Sequence, residues 1–265
     1  MADLRDTEKP TLRIIRSLAR SGGTLVAKCL GCMDDVTLIS EVHPGDPKSK
    51  IRTQAHEWFD LIDSKTVRWW KIRRPSMLKI VSTIEPRATE RGDIFMLRDW
   101  SHWDYIGVPF TKPKFGYALK EVLESKYKIR TATTVRHPID QYMSLMQLSI
   151  VGPKLDFDSY LYGCMRFAEY ASEHGFYRYE DFTKDPDSVL GAMCEDLDIP
   201  FDSRYVDKWH AYTTITGDTV STLGRGVLKK TIQSFGRKPI DEKLLDQFRA
   251  NKDYLRACAL LGYSP

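Results

Sequence analysis

The sequence predicts an α/β fold of three layers, in which a mostly parallel central sheet carries helices on both faces. Three observations predict it. Short apolar segments alternate with helical patterns along the chain, and that alternation places successive strands parallel and covers both faces of the sheet. The first strand and first helix are joined by a glycine-containing, cation-bearing loop, Arg20-Ser21-Gly22-Gly23-Thr24. Such a loop cradles phosphate, because glycines admit an anion close to the backbone and the helix start supplies unpaired N–H groups and a positive dipole end. Charged residues also gather where the strands end, which is where open α/β sheets bind ligands.

Taken in order, residues 11 to 18 read as the first strand, and the helix after the cradle carries Leu25, Val26, Cys29, Leu30 and Met33 on its apolar face. A second strand, Val36 to Ser40, runs into Glu41-Val42-His43-Pro44 and a polar loop over 45–50. From 54 to about 90 the pattern is helical and aromatic, with Trp58, Phe59, Trp69 and Trp70 beside Arg68, Lys71, Arg73 and Arg74. Core packing is the favoured role for these aromatics, ahead of an acceptor-binding wall or an interfacial membrane contact. Asp93 to Leu97 is a short buried strand ending in Arg98-Asp99-Trp100-Ser101-His102-Trp103-Asp104. Ile129 to Val135 is another, ending in Arg136-His137-Pro138, where the proline suits the first turn of a helix. Phe176 to Tyr179 reads as one more strand. Asp185-Pro186 then opens a helix with Val189, Leu190, Met193, Cys194 and Leu197 on its buried face. A loop rich in Gly, Thr, Arg and Lys spans about 213 to 239, and a helical segment closes the chain from Asp241.

At 265 residues and 42% hydrophobic content the chain suits one domain, 1–265, built on one large core. A net charge of +4 spread among acidic residues argues against a nucleic-acid protein and leaves room for a local basic pocket. The N-terminus lacks an apolar h-region and no stretch approaches a membrane span, so a soluble, cytoplasmic protein is expected. Five cysteines, an odd number, suggest reduced thiols. Cys29 and Cys32 have C-x-x-C spacing inside a helical pattern, and no second pair completes a metal site, so packing is expected of them and no metal.

The cradle lacks the lysine-Ser/Thr pair of a G-x-x-x-x-G-K-[ST] loop, and with it the usual phosphate lysine and magnesium-binding hydroxyl. A second anion site is suggested by Arg136 at a strand end and Ser144 about two turns into the next helix, a rise of roughly 9 Å from Pro138. One ligand with two distant phosphates fits both. Here the sequence resembles the sulfotransferases that use 3'-phosphoadenosine 5'-phosphosulfate (PAPS). In that family a [KR]-S-G-T-T loop holds the 5'-phosphosulfate and an arginine with a serine eight residues on holds the 3'-phosphate. Arg20-Ser21-Gly22-Gly23-Thr24 and Arg136 through Ser144 match these, and Tyr179-Glu180-Asp181 followed by Pro186 is similar to the family's Y-E-D-x-x-x-x-P element, whose tyrosine contacts adenine.

The resemblance implies the P-loop NTPase-like sulfotransferase fold, PAPS as cofactor with adenosine 3',5'-bisphosphate as product, no metal, and a small-molecule or lipid-like hydroxyl or amine acceptor. It implies cofactor contacts from Arg20, Ser21, Gly22, Gly23, Thr24, Leu25, Arg136, Ser144 and Tyr179. Gly23 replaces the usual threonine, and Leu25 stands where cytosolic members often carry a tryptophan that stacks on adenine. The family's C-terminal R-K-G segment has no single counterpart; Gly224-Arg225-Gly226 and Gly236-Arg237-Lys238 are the two candidates, with Arg225 preferred as a 3'-phosphate ligand and a solvated basic loop as the alternative. Arg20 and the acidic residue after the second strand look closer to the protein-tyrosine branch. Arg20 and Arg98 are the expected cations around the leaving phosphate, and the candidate bases are His102, ranked first, with Glu41 and His43 close behind. An ion pair of Arg98 with Asp99 or Asp104 is the structural alternative. A P-loop kinase using ATP and an inactive nucleotide-binding scaffold are the rival functions.

Overall fold

The computed structural model describes residues 9–46, 49–217, 231–233, 236–237 and 239–265. The strands are β1 (Thr11–Ser17), β2 (Val36–Val42), β3 (Ile94–Asp99), β4 (Lys128–Val135) and β5 (Tyr177–Arg178). They form one parallel sheet in the order β2-β3-β1-β4-β5. The chain crosses from one side of β1 to the other between β3 and β4, so a switch point lies at the C-terminal end of β1, where open α/β sheets leave a crevice.

The helices are α1 (Gly23–Gly31), α2 (Ser49–Thr53), α3 (Ser64–Arg73), α4 (Met77–Glu90), α5 (His102–Tyr105), α6 (Ala118–Leu123), α7 (Pro138–Leu145), α8 (Phe157–His174), α9 (Tyr179–Lys184), α10 (Pro186–Leu197), α11 (Tyr205–Lys208), α12 (Glu242–Ala250) and α13 (Lys252–Leu261). Strand alternation sorts them onto two faces. Leu12 and Ile14 of β1 and Phe95 and Leu97 of β3 join one buried cluster with α3, α4 and α6. Ile15 and Met96 point the other way, into a cluster with α1, α10 and α11. A third cluster packs α7, α8 and α13 around Leu18 and Val135.

The long aromatic stretch is broken into pieces. Helix α2 runs into a single π-helical turn, Gln54–Trp58, and α3 begins at an Asp63 cap whose carboxylate accepts from the Thr66 N–H at 2.8 Å. Left-handed residues at Asp60 and Arg74 mark the breaks. Trp70 is buried in the first cluster and Phe59 packs against it, the core role expected of them, whereas Trp69 faces solvent. Cys29 is fully buried in α1, and burial pushes the Cys32 thiol up to about 11, so both behave as packing residues at neutral pH.

Candidate functional site

The site is assembled at the C-terminal ends of β1, β2, β3 and β4. After Ser17 the chain turns sharply: Arg20 has φ 72° and Gly22 φ 79°, with Gly22 at the N-cap of α1. The left-handed conformation at Gly22 favours glycine, and a Cβ there would also stand 2.1 Å from Cδ2 of Tyr179. Gly23 is close-packed in another way, because a Cβ would lie 2.0 Å from the Ser17 hydroxyl. Ser17 thus brings a hydroxyl into the space that a side chain at position 23 would occupy. The first N–H groups of α1 have no carbonyl one turn earlier to bond within the helix.

Arg98 closes one side of this cradle. Its guanidinium donates from Nη2 to Thr24 Oγ1 at 3.1 Å, and from Nη1 to Ser40 Oγ and to the Thr216 carbonyl, both at 3.2 Å. The pair with Asp99 considered from the sequence does not form. β3 extends to Asp99, so the two residues point to opposite faces, and Asp99 instead accepts from Arg16 Nε at 2.9 Å in a fully buried pair. The Arg16 guanidinium lies 3.5 Å from the Tyr117 ring centroid and 4.3 Å from that of Tyr170.

Arg20 turns away from Arg98. Its Nε donates to Ser144 Oγ at 2.7 Å, and its carbonyl accepts from Arg136 Nη1 at 3.2 Å. The Arg136 guanidinium lies 4.9 Å from the Tyr179 ring centroid. Arg20, Arg136, Ser144 and Tyr179, dispersed over 160 positions of sequence, are therefore one cluster against the cradle. A cleft of about 310 Å³ opens beside it, with Arg136, Arg178, Tyr179, Glu180 and Arg237 among its walls. Leu25 packs against the cluster under α1, and Ser21 is buried with its N–H donating to Leu18 O at 3.2 Å. Arg225 lies outside the described residues.

The three candidate bases differ in what their polar atoms already do. For His43, Gly45 N–H donates to Nδ1 at 3.0 Å, so Nε2 carries the hydrogen and donates to Asp104 at 3.1 Å. Both nitrogens are engaged, and the ring leans on Trp103 at 5.2 Å. His102 Nε2 donates to the Val108 carbonyl at 2.6 Å, while Nδ1 is buried without a hydrogen-bond partner among the described residues. Burial holds its pKa below the ordinary histidine range, so the imidazole is neutral and Nδ1 carries a lone pair. Glu41 accepts from Lys50 Nζ at 3.1 Å, and a Cβ at Gly217 would stand 3.2 Å from Glu41 Oε1 and 3.9 Å from Arg98 Nη1.

Several participants were not singled out in the sequence. Lys50 lies 3.6 Å from the Trp100 ring centroid, and Trp100, Trp103 and Phe110 form an aromatic wall beside His43 and Lys50. Gln54 clamps Ser40, accepting its N–H at 2.6 Å and donating to its carbonyl at 2.8 Å. Gln54 had no signal of its own, being one polar residue among Arg52, Thr53, His56 and Glu57. Thr216 and Gly217 had only a turn-forming glycine to mark them.

Among the described residues no helix is long and apolar enough to cross a membrane. The sequence matches no protein-family model and no curated protein. Among solved structures it is similar to the sulfotransferase domain from the Synechococcus PCC 7002 olefin synthase, at 16% identity over 97% of this chain and 96% of that one, with a TM-score of 0.67. It is also similar to the sulfotransferase domain from the curacin biosynthetic pathway, at 16% identity over 96% of this chain and 98% of that one, with a TM-score of 0.59. The chain has the fold of these sulfotransferase domains.

Proposed function

We propose that the protein is a PAPS-dependent sulfotransferase acting on a hydroxyl or amine of a small or lipid-like acceptor. The observation that carries this reading is the joining of two cation-lined anion sites through Arg20, whose loop forms the cradle and whose side chain reaches Ser144. A single-phosphate ligand has no use for the second. The residues fit a nucleotide with phosphates at two ends: first-turn N–H groups and the Thr24 hydroxyl at one, Arg20, Arg136 and Ser144 at the other, and the Tyr179 ring between Gly22 and Arg136. Arg237, in the wall of the adjoining cleft, is a third cation for the second end, alongside the sequence-based choice of Arg225.

When bound, PAPS supplies the sulfuryl group and a phosphate leaving group. Arg98, held by Ser40 and the Thr216 carbonyl, offsets the negative charge that gathers at the cradle, and its burial strengthens that effect. Arg20 secures the second phosphate with Arg136. His102 is the base first in rank, through Nδ1, the nitrogen left unbonded by the Val108 contact; because that nitrogen is buried, the acceptor reaches it only when the side chains covering it move aside. Glu41, tied to Lys50, is second in rank, and His43, engaged at both nitrogens, is third. Trp100, Trp103 and Phe110 suit the apolar part of an acceptor, in the role first considered for the aromatics of 58–70. A cytoplasmic location, expected from the sequence, is part of this proposal.

The test is calorimetric titration with adenosine 3',5'-bisphosphate, AMP and Mg-ATP. Binding that requires the 3'-phosphate, and that weakens by about 2–4 kcal/mol in Arg136→Ala, is expected. A preference for Mg-ATP would establish the kinase rival, and binding without turnover across many acceptors would establish the scaffold.

A further inference from the structure

We propose that α3 is a docking face that seats the protein on an anionic lipid surface. The helix is fixed from below, since Trp70 is 1% exposed and Val67 packs against the same core cluster. Its outward side has an unusual order. At about 100° per residue, Ile72 stands at the centre of that side, with Lys65, Arg68 and Trp69 within about 60° of it and Lys71 and Arg73 further round on either flank. Ile72 is 78% exposed and Trp69 46% exposed. Large apolar side chains left in water on a short helix mark a contact surface.

The charge says what the surface contacts. From Ser64 to Ile84 the chain carries six basic residues, Lys65, Arg68, Lys71, Arg73, Arg74 and Lys79, and no aspartate or glutamate. All six are exposed, and among the described residues Arg68, Lys71, Arg73, Arg74 and Lys79 form no ion pair with a carboxylate. An apolar ridge flanked on both sides by cations matches a planar anionic surface. Trp69 and Ile72 enter the headgroup boundary while the long basic side chains lie along it with their charges among the lipid phosphates. A folded acidic partner fits less well, because one face of a ten-residue helix falls short of the roughly 800 Å² per side that a stable protein interface uses. The contact is peripheral and leaves the fold unchanged.

The test is co-sedimentation with vesicles of phosphatidylcholine alone or with about 30% phosphatidylserine at about 0.1 M salt. Partitioning at least about tenfold stronger onto the anionic vesicles is expected, and most of it lost at about 0.5 M salt. Trp69→Ala/Ile72→Ala and Arg68→Glu/Lys71→Glu should each weaken it about tenfold with circular dichroism and Tm unchanged. Brominated lipid should quench a component of the emission that is missing in Trp69→Phe. Equal binding to both vesicle types, no binding to either, or full binding by the Trp69→Ala/Ile72→Ala variant would overturn the proposal.

Discussion

Replacing Gly22 with alanine tests whether the cradle is held open by close packing as well as by backbone conformation. Gly22 sits at φ 79°, where an L side chain costs about 1–2 kcal/mol. The added Cβ would also stand 2.1 and 2.3 Å from two carbons of the Tyr179 ring, which must move. Overpacking of this kind costs about 1–3 kcal/mol, so Gly22→Ala should destabilise the protein by about 2–5 kcal/mol in total. In a Tyr179→Ala background the ring is gone and only the backbone cost of about 1–2 kcal/mol remains. The coupling energy of the double-mutant cycle is therefore about 1–3 kcal/mol. Urea unfolding midpoints at unchanged m-value measure it. Because the Arg136 guanidinium lies 4.9 Å from that ring, the single variant should also bind adenosine 3',5'-bisphosphate at least about tenfold more weakly, or about 1.4 kcal/mol. An equal cost of Gly22→Ala with and without the Tyr179 ring would refute the packing argument.

Arg16→Met should cost about 3–5 kcal/mol in urea unfolding, because it leaves Asp99 buried and unpaired, and Arg16→Met/Asp99→Leu should recover most of that. Stability should fall as the pH drops below about 6.5, by up to about 1.4 kcal/mol per pH unit for each of His102 and His137. Burial lowers both folded-state pKa values, so the unfolded chain binds more protons in that window; His102→Gln should reduce the slope, and identical midpoints at neutral and mildly acidic pH would exclude the effect. Arg98→Met should lower kcat by about 10²–10³ with a smaller change in nucleotide affinity, read from turnover and calorimetry on the same preparation. A full loss of nucleotide affinity instead would make Arg98 a binding residue.

Much of this arrangement was legible in the sequence because it rests on local patterns. Apolar runs located the five strands found among the described residues, and the glycine loop and the charged strand ends lie together at the C-terminal edge of the sheet. The partners of the charges were not legible. Reading the third strand as ending at Leu97 hid the fact that alternation continues through Arg98 and Asp99, and with it the separation of their roles. Arg16 and Asp99 meet across 83 positions, and Arg98 and Thr216 across 118. No period along the chain encodes such contacts. The aromatic segment shows the same limit, since Trp69 and Trp70 are adjacent in sequence and face water and core respectively.

The position of Glu41 depends on a defect in the sheet. β2 and β3 pair in register from Val36 with Ile94 to Ile39 with Leu97, and then Val42 pairs with Asp99, so β2 holds one residue more than its partner across that interval. Had the strand stayed in phase, Ile39 and Glu41 would share a face, and the carboxylate would enter the apolar layer that holds Ile39, Leu61 and Ile80. The extra residue resets the phase. Val42 takes the buried place in that layer, and Glu41, at φ 54°, is released toward Lys50, Gly217 and Arg98. The strained conformation costs about 1–2 kcal/mol. It is offset by the Gln54 amide, which bonds both backbone groups of Ser40 inside the bulge and next to Glu41, and by the ion pair with Lys50. Gln54 and Lys50 both come from the segment just after β2, so the same short connection that leaves the sheet also braces the distortion that brings Glu41 to the site.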